Sequence, residues 1–471
     1  MANLELHRLT IEELGPLLRN KTVSPTEVTG HFLERIATLG EHTNAYITVM
    51  AEAAMAEARA REAEILAGEY RGPLHGIPVA LKDLYDTAGV RTTAASKIFA
   101  DRVPEQDATT VRLLREAGAI IIGKTNLHEW AFGVTNERSY FGPTRNPWDL
   151  DRITGGSSGG SGAAVAADLC VAATGSDTGG SIRIPSALCG TVGLKPTFGR
   201  ISCTGLVPLA WSLDHPGPMT KSVYDAAVML GVMAGWDPKD PATLNAPVPD
   251  YRATLRSGVQ GLRIAVDPDC AFSEVDEDVG AAVKQAVTVL EGLGAEVVEV
   301  ALPRIDEARD AALTILISDA AAYHEQFLTT RPEDYEPGGA RTRLEPARSI
   351  RAVDYARAER TRQWIQRDFA SLFEQVDLFA TPTTAIPAPR LGQADTAISG
   401  GIISVLAGLT RFTRLFNLVG SPAISVPCGF SRDGLPIGLQ LIGAHLREAI
   451  VLRAAYAYES ATDWHRRSPS L

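Results

Sequence analysis

The feature that most limits the fold is an order of helix, glycine and strand that the chain repeats. Residues 109–117 read as a helix, Gly118 ends it, and residues 119–122 follow at once as a strand. The same order returns at 281–293, Gly294 and 296–300. Glycine closes a helix readily because it enters the left-handed region without a Cβ clash. Alternation of this kind builds α/β architecture around a parallel or mixed sheet. Gly76-Ile77-Pro78-Val79-Ala80-Leu81 adds a short buried strand that runs directly into Lys82.

The N-terminal part is different. Ser24-Pro25-Thr26-Glu27 is a helix start, with a serine cap, proline at the first helical position and glutamate three residues past the cap. Val28, Phe32, Leu33, Ile36 and Leu39 then recur at helical spacing, and the Ala/Glu-rich stretch 51–69 reads as a second helix. Residues 1–70 are therefore expected to form a helical layer outside one large unit, residues 71–471. The chemistry-bearing segments described below run from Lys82 into the C-terminal third, which favours a single large domain over the three that length alone would suggest. Residues 236–250, rich in Pro and Asp, read as a loop.

A formal charge of −11 and a pI near 5.4 argue against a nucleic-acid surface. Arg357, Arg360, Arg362 and Arg367 are interleaved with Glu359 and Asp368 and read as a solvated helix face. Five scattered cysteines without a CxxC pair suggest reduced thiols, and no His/Cys spacing suits a metal. The N-terminus has no leader pattern, and no run approaches the ~18 apolar residues of a membrane span. The expectation is a cytoplasmic protein with no metal, no cofactor, no membrane and no nucleic-acid partner.

The distinctive segment is Gly155-Gly156-Ser157-Ser158-Gly159-Gly160-Ser161-Gly162, followed by helix-like residues 163–169 and then Gly175-Ser176-Asp177-Thr178-Gly179-Gly180-Ser181. A flexible linker would not lead into a helix, a small-residue strand and a second Gly-Gly-Ser turn. A phosphate loop needs Lys and Ser or Thr where Ser161-Gly162-Ala163 stand. A nucleophile elbow at Ser157 fits G-x-S-x-G, but the preceding residues 146–152 are polar and carry a proline, unlike the buried strand that turn requires. The fourth reading takes both serine turns together. Gly179 and Gly180 let the backbone approach a substrate, and the N–H groups of Thr178, Gly179, Gly180 and Ser181 then form an oxyanion hole. Ser181 is the nucleophile of this reading and Lys82 the candidate base.

Gly76 through Asp83, Gly123-Lys124-Thr125-Asn126 and the Gly/Ser block through Gly193-Leu194-Lys195-Pro196-Thr197 together resemble the amidase signature family. Ser212 through Met219 and Gly434 through Gln440 extend the likeness over nearly the whole chain. The resemblance implies that family's fold, a single large domain with a central mixed β-sheet flanked by helices. It implies a triad of Lys82 as base, Ser157 as a bridging serine after a cis peptide bond, and Ser181 as nucleophile. The family's serines stand 24 positions apart, as they do here. Ser158, Asp177 and Arg183 match polar positions around the triad, and Phe132 and Gly133 are expected near the acyl pocket. His128 and His215 read as structural.

A free lysine, with a pKa of about 10.4, is protonated at neutral pH and cannot act as a base. Burial beside the uncharged Gly/Ser turns should favour its neutral amine, whereas Asp83 would oppose this if it faced the same way. The expected activity is hydrolysis of a small-molecule amide through a Ser181 acyl-enzyme. Carbamate or urea-type hydrolysis, and the role of the glutaminase component in a glutamyl-tRNA amidotransferase, are the alternatives. That component holds the glutamine amino group with an acid shortly before the stretch matching Asn417-Leu418-Val419-Gly420. Residues 409–416 contain none, although Arg343 could still meet a carboxylate. The expectation is a stand-alone amidase, with a homodimer suggested at the level of the family.

Overall fold

A computed structural model describes residues 5–302 and 304–471. The main sheet contains β1 (Tyr46–Val49), β2 (Pro78–Lys82), β3 (Ile120–Thr125), β4 (Ala172–Asp177), β5 (Val192–Lys195) and β6 (His215–Thr220). It continues with β7 (Arg263–Val266), β8 (Glu296–Glu299), β9 (Leu378–Pro382), β10 (Ala423–Phe430) and β11 (Pro436–Gly443). In space the order is β1-β3-β2-β4-β6-β5-β10-β11-β9-β7-β8. Strands β3, β2 and β4 pair in parallel at one side, and β9, β7 and β8 do so at the other. Between them the pairing is antiparallel. The sheet is mixed and helices flank it.

Every residue of β2, β3 and β4 is buried, as befits strands covered on both faces. The repeated helix–glycine–strand order is present. Helix Thr109–Glu116 leads through Gly118 (φ +89°) into β3, and helix Glu277–Gly292 through Gly294 (φ +98°) into β8.

The N-terminal residues form helices Ile11–Arg19, Pro25–Thr43 and Ala51–Leu66. At the second, Ser24 Oγ accepts the Glu27 N–H at 3.1 Å and Glu27 accepts the Ser24 N–H at 2.8 Å. Its apolar stripe buries Val28, Phe32 and Ile36. This layer is not wholly helical, because β1 leaves it to pair antiparallel with β3 at the sheet edge.

Two local readings change. The helix expected at 163–169 spans Gly159–Ala166, so it begins inside the Gly/Ser run. Its glycines serve close packing: a Cβ on Gly160 would stand 2.6 Å from Ala45 O, and one on Gly162 3.2 Å from Pro185 O. A run whose glycines are packed too closely for a Cβ is no linker. Arg362, assigned to a solvated face of helix Ala352–Leu372, is instead buried. Its guanidinium donates to Leu418 O at 3.0 Å and Ser212 O at 2.8 Å, which satisfies carbonyls that sequence spacing cannot reveal. Residues 236–250 form neither helix nor strand. Among the described residues no helix is long and apolar enough to cross a membrane.

Candidate active site

Lys82 is the last residue of β2, and its side chain is wholly buried. Its Nζ lies 2.7 Å from Ser157 Oγ and 2.8 Å from Ser176 Oγ. Its backbone N–H donates to Thr174 Oγ1 at 3.1 Å. Burial lowers its pKa to about 7 against the opposing pull of Asp214 and Asp177. A neutral amine carries N–H donors for Ser176 and one lone pair for the Ser157 hydroxyl.

Asp83 does not spoil this. It follows the last residue of β2, in a turn that carries it away from the Lys82 amine and toward Lys124. Its carboxylate accepts the Thr93 N–H at 2.9 Å and lies 3.3 Å from Lys124 Nζ.

Ser157 follows a cis peptide bond from Gly156. A Cβ on Gly156 would come within 2.9 Å of Asn136 N, so the backbone packs where only glycine fits. Ser157 O accepts the His128 N–H at 3.0 Å. The neighbouring Ser158 N–H donates to Ser181 O at 3.2 Å, which joins the two serine turns directly. Ser158 Oγ donates to Ser176 O and accepts the Ser176 N–H, each at 3.3 Å. Among the described residues, Ser181 Oγ makes no hydrogen bond in this resting arrangement.

The turn that presents Ser181 is organised by Asp177. Its carboxylate accepts the N–H groups of Gly180 at 2.8 Å and Ile182 at 3.1 Å, and it pairs with Arg183 at 2.9 Å. Arg183 also donates to Gln440 Oε1 and Asn417 Oδ1, both at 2.7 Å. Burial alone would raise the Asp177 pKa, but Arg183 outweighs it and holds the carboxyl well below the usual range. This corrects the expected cradle of four N–H donors: the Gly180 donor is taken by Asp177. Its φ of +127° still requires glycine. The N–H groups of Thr178, Gly179 and Ser181 have no acceptor among the described residues.

Thr178 Oγ1 donates to Asp214, which also accepts the Leu209 and Ala210 N–H groups at 2.9 and 3.1 Å. Burial pushes this carboxyl up to about 6 despite those bonds. A narrow cavity of about 30 Å3 opens at Ser181, lined by Phe132, Gly133, Thr178, Gly179 and Arg343 among others. Phe132 and Gly133, expected near an acyl pocket, both line this cavity. His128 Nδ1 accepts the Asn136 N–H at 3.2 Å, and His215 Nδ1 donates to Leu213 O at 2.6 Å. Burial drives both rings well below their ordinary pKa, as neutral structural groups.

Ser176, Thr174, Asp214, Asn417 and Gln440 are site residues the sequence reading did not assign. For two of them a cue was present: Thr174 and Ser176 stand two apart on β4, on the face turned to Lys82. Nothing local marks the rest.

Comparison of the whole chain with known proteins shows its family. The model of the Amidase family matches residues 27–452. The chain belongs to the amidase family. An amidase of Pseudomonas putida is 45% identical over 99% of this chain and 98% of its own length. The glutamyl-tRNA(Gln) amidotransferase A-type subunit of Moorella thermoacetica is 44% identical over 99% of each. A solved structure, described with a vestigial protein complex that reveals the origins of an s-triazine catabolic enzyme, superposes with a TM-score of 0.92 at 36% identity. It covers 96% of this chain and 98% of that one. As an amidase-family member the chain is a hydrolase of amide C–N bonds. The similarity extends equally to a protein named amidase and to the amidotransferase component.

Proposed function

We propose that the chain hydrolyses a small amide through an acyl-enzyme on Ser181, with Lys82 as base and Ser157 as proton relay. The observation that carries the reading is a buried amine, with a pKa brought to about 7, held 2.7 Å from a serine hydroxyl. Neutral Lys82 takes the Ser157 proton as Ser157 takes that of Ser181, whose oxygen attacks the carbonyl carbon. The N–H groups of Thr178, Gly179 and Ser181 receive the developing oxyanion, a donor of this kind contributing about 3–4 kcal/mol. The relay then runs backward: the Ser157 hydroxyl protonates the departing nitrogen and Lys82 replaces that proton. Water, deprotonated along the same route, releases the acid. Carbamates and ureas fit the same steps, since each presents a carbonyl carbon bonded to nitrogen.

A stand-alone, cytoplasmic amidase is the reading we favour. The glutaminase component of an amidotransferase is the second, supported by the Moorella thermoacetica relative. Against it, no carboxylate side chain is found in the lining of the cavity at Ser181 among the described residues. A bound glutamine would bring an ammonium group with nothing of opposite charge there to receive it.

The test is a purified single chain assayed on aryl amides, short aliphatic amides, carbamates and glutamine, with a fluorophosphonate probe for the nucleophile. Labelling of wild type at Ser181, lost in Ser181→Ala together with turnover, is the expected result. Lys82→Ala and Ser157→Ala should each lose about 10²–10⁴-fold in rate. Acyl trapping on Ser157 instead of Ser181 would restore the nucleophile-elbow reading.

A further inference from the structure

The peptide unit between Gly179 and Gly180 is held at both ends by side chains. Thr413 Oγ1 donates to Gly179 O at 2.7 Å, and Asp177 accepts the Gly180 N–H at 2.8 Å. A peptide carries its oxygen and its hydrogen on opposite sides of one plane, so two such bonds fix the direction of that plane. Next along the chain, Gly180 O accepts the Ile184 N–H at 2.7 Å and Ser181 O accepts the Ser158 N–H at 3.2 Å. The N–H groups of Gly179 and Ser181, which flank the clamped unit, are left without an acceptor among the described residues.

The clamp answers a weakness of the turn. Two adjacent glycines have no Cβ to limit rotation about the bonds on either side of their shared peptide. Such a rotation swings the Gly179 and Ser181 donors relative to each other. Asp177 restrains it from within the turn, whereas Thr413 does so from 234 positions away.

Thr413 differs from an ordinary cap. It is wholly buried and stands at the N-cap of helix Arg414–Val419, where a threonine hydroxyl ordinarily accepts an N–H of the first turn. It makes no such bond. Thr410 O, the other acceptor in reach, is 3.5 Å away, so the hydrogen goes to Gly179 O. The fit is close as well: a Cβ on Gly180 would collide with Thr413 Oγ1 and stand 2.8 Å from Thr413 Cβ. The segment around Thr413 is anchored too, since Asn417 Nδ2 donates to Asp177 O and Gln440 Nε2 to Phe412 O, both at 2.9 Å.

We infer that Thr413 is a positioning residue for the reaction: its hydroxyl holds the Gly179–Gly180 peptide so that the Gly179 and Ser181 donors converge on the oxyanion. It acts through the backbone, for its hydroxyl bonds only Gly179 O and Thr410 O among the described residues.

This inference rests on the Ser181 acyl-enzyme reading, and its test separates the two. Thr413→Val removes the hydroxyl at nearly constant volume, and Thr413→Ser restores it without the methyl group. Exhaustive fluorophosphonate titration gives the concentration of reactive Ser181 in each protein, so that rates refer to folded enzyme. With the best-cleaved amide of the panel, kcat of Thr413→Val should fall about 100-fold while KM stays within about twofold of wild type. The Ki of the matching trifluoromethyl ketone, whose serine adduct carries the oxyanion, should rise in parallel. Thr413→Ser should recover most of both losses, and the acid limb of the pH–rate profile should stay in place in either variant. Wild-type kcat in Thr413→Val, or a serine variant as slow as the valine one, overturns the inference and leaves the nucleophile standing. If Thr413→Val yields no folded protein, Thr413→Ala is read in the same way. If wild-type Ser181 takes no label and no amide is cleaved, both readings fall.

Discussion

Asp83 and Lys124 form an ion pair 3.3 Å apart from which solvent is entirely excluded, one residue along the chain from the amine of Lys82. The pair explains how an acid can adjoin the proposed base without charging it. Asp83 spends its negative charge on a different lysine, Lys124 of the neighbouring β3. Lys124 is further held by Tyr85 O and Thr92 Oγ1, both at 2.7 Å.

Asp83→Asn should therefore act on stability. Removing one partner of a buried pair leaves the other uncompensated, at a cost of about 3–5 kcal/mol. Chemical denaturation should give a lower midpoint, and the acid limb of the pH–rate profile should stay in place. A limb that moved while the midpoint did not would mean that Asp83 speaks to Lys82 after all.

The proposed base sets the pH dependence. Lys82 is active when neutral, so kcat/KM should fall below a pKa of about 7 and level off above it. Ser176 Oγ accepts from the amine, and an acceptor favours the ammonium form. Ser176→Ala should thus shift the acid limb to lower pH and reduce the plateau about tenfold. A limb displaced upward would exclude Ser176 as an acceptor in the catalytic state.

Arg183→Lys tests the turn that carries Ser181. The guanidinium holds Asp177, Gln440 and Asn417 at once, and an ammonium cannot span that fork. Loss of about 2–4 kcal/mol in unfolding free energy is expected. A lower rate of fluorophosphonate labelling should accompany it, since Asp177 would no longer fix the Gly180 and Ile182 N–H groups. A normal labelling rate would show that the turn holds without the fork.

Stability should also depend on a pair of acids far from the site. Asp225 accepts the N–H groups of Ile11 at 3.0 Å and Glu12 at 3.3 Å, and Glu459 accepts the Val223 N–H at 2.9 Å. Burial pushes Asp225 up to about 7 and Glu459 up to about 8. Both lie above the unfolded value of about 4, so their contribution is full below that pH and is lost as pH rises through about 7 and about 8. Tm should decline over that range, and Glu459→Gln should flatten the decline. Parallel curves for wild type and variant would assign the dependence elsewhere.

Much of this was legible from residue order. The helix–glycine–strand alternation appears where expected because apolar periodicity and the left-handed preference of Gly118 and Gly294 are local properties. Ser24 and Glu27 cap their helix for the same reason. Arg362 misled because interleaved charges describe a helix in isolation, while its burial depends on carbonyls from Ser212 and Leu418. Gly180 misled because its N–H was read without the carboxylate of Asp177, which turns back to meet it.

The sequence by itself determined the element order, the glycines that let backbone pack against backbone, and which lysine and serines stood in the motifs. Those follow from covalent connectivity and from conformational preferences that act over a few residues. Tertiary structure decided the rest. The 2.7 Å between Lys82 and Ser157, the desolvation that neutralises the amine, the direction of Asp83 and the reach of Thr413 to Gly179 all join segments distant in the chain. Charge state and donor direction depend on what surrounds a group in space, and only packing brings those surroundings together.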